Sequence, residues 1–164
     1  MKVSKFMSAL ALFGILAFSS CSSESLNEDE NINLEMTVPD TKPIEEEVLN
    51  LINNYRQEQG LNSLYYNGTV KAVAFTHTDY MIEENDVSHH NFYVRKQNLQ
   101  VSENAQVVSE NVAFGYTSAE SLVNAWINSP SHKQNLEGDY THFDISAEQN
   151  QEGDWFYTNI FIKK

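Results

Sequence analysis

Apolar residues recur at Ile44, Val48, Leu51, Ile52 and Tyr55, the i, i+4, i+7, i+8, i+11 spacing of one helix face. Pro43 suits the first turn of that helix, Glu45 to Glu47 suit its positive end, and Gly60 suits its C-terminal cap. The spacing predicts a second helix over about 69–84, with Val70, Val73, Ala74, His77 and Met81 on its inward stripe. His77 thus stands on an apolar face. Asp86 to His90 reads as a loop and Phe92 to Leu99 as a short helix. Gln106 to Gly115 carries strand-type residues without strict alternation, so it reads as a short strand or an irregular segment. Thr117-Ser118-Ala119-Glu120 has the form of a capping box. It opens a helix bearing Leu122, Val123, Trp126 and Ile127, which Pro130 ends, and a turn follows over 131–136. Two strand candidates, 143–149 and 155–162, flank the polar stretch Asn150 to Asp154. Gly153 in that stretch suits a hairpin. Helices first and a hairpin last predict an α/β fold with an at least partly antiparallel sheet.

The N-terminus follows another pattern. Lys2 and Lys5 precede a mostly apolar run from Phe6 to Phe18, and then comes Ser19-Ser20-Cys21. That order predicts a secretory signal over 1–20. Its end resembles a bacterial lipobox, with Phe18 where an aliphatic residue is usual. Lipid on Cys21 would tie the chain to a membrane of the bacterial cell envelope, at the outer membrane or cell surface, on the periplasmic or extracellular side. Residues 21–43 are polar and acidic and read as a flexible tether. Its Glu28-Asp29-Glu30 cluster is either plain linker or a sorting signal. The globular domain is expected over 44–164.

Composition narrows the function. The chain has 164 residues, enough for one domain with a real core. Its 23 acidic and 10 basic residues leave a net charge of −13. A nucleic-acid partner is therefore not expected, since it would need a basic footprint. A polybasic membrane-surface module is excluded on the same ground. One cysteine cannot form an intrachain disulfide or a Cys-rich metal site. The apolar runs are too short for an ordinary spanning helix.

Chemistry must come from His77, His89, His90, His132, His142 and the carboxylates, because phosphate-loop, dinucleotide, serine-elbow and zinc-protease motifs are all missing. A histidine beside a glutamate can bind Zn²⁺ or act as an acid–base pair. Five segments then fall into a familiar order. They are Leu49 to Arg56 with Gly60-Leu61 and Leu64, Ala74 to Met81 around His77, Val87-Ser88-His89, Ser109-Glu110-Asn111-Val112-Ala113, and Trp126 to Leu136 with Ser129-Pro130-Ser131-His132. Together they resemble the bacterial branch of the CAP superfamily, the cysteine-rich secretory, antigen 5 and pathogenesis-related (SCP-like) proteins.

The resemblance implies a three-layer α-β-α sandwich with a mostly antiparallel central sheet. It also implies a cleft that in animal and plant members holds two histidines and two glutamates. His89 and Glu110 match the first of each. Ser129 and Asp139 stand where the second glutamate and second histidine would be. The resemblance therefore leaves an alternative cluster of His77, His89, Glu110 and His132. His89, His132 and Glu110 would be the ligands of any zinc or calcium.

Each residue also has a plainer use. Glu110 can hold backbone amides, Asn111 can pin two segments, His132 can satisfy carbonyls near Pro130, and His77 can be a core histidine. His90 and His142 read as surface residues and Trp126 as core. Tyr80, Tyr93 and Arg95 are further candidates for the cleft wall. Three functions are open: a binding module for a small ligand, lipid or divalent metal; a metal- or Glu110-dependent hydrolase, with Ser88 as a conceivable nucleophile; and a surface interaction protein with a degenerate cleft.

Overall fold

The structure, a computed structural model, describes residues 37–164. The expected signal and lipidation site at Cys21 lie outside the described residues, as does most of the tether. The elements run α1 (Pro43–Glu58), β1 (Tyr65–Tyr66), α2 (Gly68–Glu84), α3 (Phe92–Ser102), β2 (Val107–Phe114), α4 (Ala119–Asn128), α5 (Pro130–Leu136), β3 (His142–Gln149) and β4 (Trp155–Lys163).

The four strands order as β1-β3-β4-β2. β4 pairs antiparallel with both β3 and β2, while Tyr65 and Tyr66 add parallel to β3. The sheet is thus mixed, its parallel part confined to two residues. Period-two alternation along β4 sends Tyr157 and Phe161 into one apolar cluster with α1, α4 and α5. Phe156, Ile160 and Ile162 go to the other face, against α2 and α3. Helices therefore cover both faces, and the chain is an α-β-α sandwich.

Local departures from expectation have physical reasons. The α4 cap falls at Ser118, whose Oγ accepts from Ser121 N–H, one residue later than the Thr117 box implies. Pro130 does not only end α4. It opens α5 from its first turn, where a missing N–H costs nothing, so the expected turn over 131–136 is a helix. β2 is a full strand, and its alternation is hidden because Glu110 to Ala113 are buried on both faces.

The outer edge of β3 is closed by side chains. Beyond Phe143 no strand pairs with it. Glu45, at the start of α1, accepts from Ala147 N–H at 2.8 Å. Lys71 of α2 donates to Ile145 C=O at 3.3 Å and to Glu45 at 2.7 Å. Both side chains are buried, and together they serve the backbone groups a fifth strand would have served.

Candidate functional site

Glu110 lies on β2 with its side chain toward α2 and α3, and is 5% exposed. Arg95 of α3 grips it with two bonds, Nε to Oε2 and Nη2 to Oε1, both 2.8 Å. Arg95 and Leu99 are the buried residues of α3, one turn apart, so the helix aims a guanidinium where its stripe would otherwise be apolar. His89, in the loop before α3, donates from Nδ1 to Glu110 Oε1 at 2.9 Å. With that nitrogen carrying the proton, the neutral ring keeps its lone pair on Nε2. The His89 side chain is 53% exposed, against 1% for that of Glu110. A buried ion pair thus holds a half-exposed imidazole in one orientation.

His77, on α2, approaches from beneath. Its Nε2–H donates to Ser88 C=O at 2.7 Å and lies 3.9 Å from Glu110 Oε1. It therefore props the loop that carries His89. The His77 ring also stacks on Tyr80, which stacks on His90. His77, Tyr80, His90 and Arg95 line a small cavity of about 170 Å³ beside the pair.

Charge follows this geometry. Burial pushes the Glu110 carboxyl upward, but the bonds from His89 and Arg95 and the Arg95 charge outweigh it, and the carboxyl ends below its usual range. Burial lowers His77, and the attraction of Glu110 only partly offsets this. His77 is therefore neutral at pH 7, as its single bond to a carbonyl requires.

His132 does not join the cluster. It sits on the first turn of α5, where Nδ1 meets Ser129 Oγ at 2.8 Å and the ring packs near Trp126. Asn111 pins that helix against the other face of β2, bonding His132 C=O and Asn135. Glu110 and Asn111 are neighbours on a strand, so their side chains leave opposite faces. Burial, and then His89, lower the pKa of His132.

The metal set expected from His89, His132 and Glu110 is not assembled. Among the described residues no three His, Cys, Asp or Glu side chains are placed to hold an ion. Both oxygens of Glu110 are already engaged, and a cation there would face the Arg95 charge. Ser88 shows no nucleophile geometry either: its Oγ accepts from His90 N–H at 3.4 Å, and its carbonyl, not its hydroxyl, faces an imidazole. Asp139 is exposed and paired with Lys163. His90 is exposed, as expected, and Trp126 is buried; Tyr93 is exposed, outside the His77–Tyr80–His90 cavity.

Sequence reasoning places Arg95 only among wall residues and misses its grip on Glu110. The signal is a charged residue on the α3 stripe of Phe92 and Leu99. It misses the Glu45–Lys71 pair too. Lys71 adjoins Val70 and Ala72 on a helix buried nearly all round, where no single stripe marks it.

Relatives agree with the fold. The chain is 32% identical over 124 residues to an uncharacterized membrane protein, YlbC, of Bacillus subtilis, covering 73% of this chain and 34% of that one. It is 30% identical over 124 residues to the uncharacterized protein YkwD of the same organism, covering 73% and 47%. It spans less than half the length of these curated relatives. Among solved structures, an outer surface protein of Borrelia burgdorferi superposes with TM-score 0.69 at 24% identity, covering 77% of this chain and 96% of that one. An extracellular SCP-domain protein of Bacillus anthracis superposes with TM-score 0.65 at 23% identity, covering 77% and 45%. With the sandwich in place and the model of the cysteine-rich secretory protein family matching residues 49–161, the chain belongs to the CAP family.

Proposed function

We propose that this protein is a binding module of the bacterial cell envelope that recognises a small polar ligand through the outward Nε2 of His89. One observation carries the reading. A buried carboxylate, clamped by Arg95, spends its free hydrogen-bonding capacity on fixing one half-exposed imidazole. Such preorganisation lowers the entropic cost of binding. A ligand hydroxyl or N–H would donate to Nε2, and the partial positive charge left on the ring would be stabilised by Glu110. The names of two relatives, one a membrane protein and one extracellular, support an envelope location. Lipid on Cys21 would supply the anchor.

The site is tested by following the His89 ring protons in NMR spectra while sugars, peptidoglycan fragments, lipid headgroups, zinc and calcium are added in turn. The expected result is a saturable shift with one organic class, weakened at least tenfold in His89→Ala. No response to any of them overturns the reading. A response to zinc or calcium alone replaces it with a metal centre. Fatty-acid labelling of the full chain, lost in Cys21→Ser, tests the anchor.

A further inference from the structure

We infer that the outer edge of β2 at Val112 and Phe114 docks an extended peptide segment of a partner protein by strand addition. Gly115 N–H donates to Trp155 C=O, which places the odd-numbered residues of β2 in the ladder with β4. The even-numbered residues therefore turn their N–H and C=O groups outward. Glu110 follows the same parity, because its carbonyl accepts from Asn135 Nδ2 at 3.0 Å. The outward groups of Val112 and Phe114 have no partner among the described residues. Unlike the β3 edge, this one is not sealed.

A groove of about 360 Å³ runs along this open stretch, with Val87 on one wall and Tyr116, Trp126 and His132 on the other. Val87 and Phe114 are 40% and 43% exposed. Backbone donors and acceptors repeating every second residue beside an apolar trough match an extended polypeptide, whose own backbone has that period. The charge of this chain, −13 overall with Asp86 at the groove end, favours a neutral or basic segment. This edge adjoins the proposed ligand site without depending on His89. Val87 lies two residues before His89, and Val112 two after Glu110.

The probe is a lysine-ended octapeptide alternating threonine with valine and phenylalanine. A control peptide carries N-methyl groups on alternate backbone nitrogens, which keeps the side chains and abolishes pairing. Amide exchange is read on the full chain. The Val112 and Phe114 amides should exchange fast in the free chain and at least tenfold slower with the peptide. The Ala113 amide should be slow in both. The methylated peptide should bind at least tenfold more weakly. Phe114→Pro removes the outward N–H together with the ring on Phe156, so it is read against Phe114→Ala, which removes the ring alone. The proline should weaken the unmethylated peptide at least tenfold more than the alanine while Ala113 stays protected. His89→Ala should leave peptide protection intact, so failure of the ligand site and failure of the edge are told apart. Equal binding of both peptides, or no protection by either, overturns the inference. So does slow exchange of Val112 and Phe114 without peptide: if dilution restores fast exchange the occupant is a second copy, and if not it is residues 1–36 of the same chain.

Discussion

Glu45 and Glu110 are both buried carboxylates paired with a buried cation, at opposite edges of one sheet. Around Glu45 every hydrogen-bond partner is buried or backbone: Lys71, Ala147 N–H and the N–H of Lys42, with the Lys42 ammonium further off at 3.9 Å. Glu110 has the same kind of grip from Arg95, yet its remaining bond goes to a ring more than half in solvent. The first arrangement closes an unpaired strand edge. The second orients a group that a ligand can reach. Two ion pairs of similar burial thus differ in what they face, and that difference separates scaffold from site.

The comparison breaks or sharpens under substitution. Lys71→Met should have the largest effect, costing about 3–5 kcal/mol by leaving Glu45 buried with only the distant Lys42 ammonium, at 3.9 Å, as counter-charge. Urea unfolding measures it, and adding Glu45→Gln should restore part of the loss. A cost near zero would show that Lys71 does not close the β3 edge.

Beside that pair, burial lifts Asp144 to about 6 against the pull of the Ile145 and Asn67 amides and of Lys71. The folded value lies above the unfolded 3.8, so its contribution to stability is present below pH 3.8 and lost as pH rises through about 6. Unfolding titrations of Asp144→Asn should therefore lack up to about 3 kcal/mol of the decline seen in the parent between those values. Glu110 has the opposite sign. Its folded value is depressed below 4.5, so its contribution is present above that pH and lost on further acidification. Glu110→Gln should flatten the acid limb alone.

Arg95→Met should cost about 2 kcal/mol, less than Lys71→Met, because His89 still donates to Glu110 and its half-exposed ring opens that carboxylate's surroundings to water, whereas what remains around Glu45 is closed off. It should also free the His89 ring, visible as broadened NMR resonances. A cost equal to that of Lys71→Met would erase the distinction between the two pairs. The smallest effect belongs to His89→Ala, within about 1 kcal/mol for a half-exposed side chain, while ligand binding is lost. Large destabilisation there would make His89 part of the scaffold.

Much of the fold is legible from spacing. The stripes through Val48, Ile52 and Tyr55 and through Val70, Val73, Ala74, His77 and Met81 all turn inward. The final hairpin forms where its polar turn predicts. β1 escapes notice because two exposed tyrosines carry no period. The site is half legible. His89 and His77 both approach Glu110, at 2.9 and 3.9 Å, while His132 shares their neighbourhood in sequence motifs and not their face of the sheet.

By itself the sequence determined which residues are apolar at which intervals, and hence the helices, the hairpin and the layered class, because periodicity is a local property of the chain. It also carried the order of motifs that marks the family. Only the tertiary structure decided which buried carboxylate would meet which cation, and which strand edge would be left open. Those outcomes depend on strand parity and on helices brought together from distant parts of the chain: Glu45 reaches Ala147, and Arg95 reaches Glu110, through contacts that no local interval encodes.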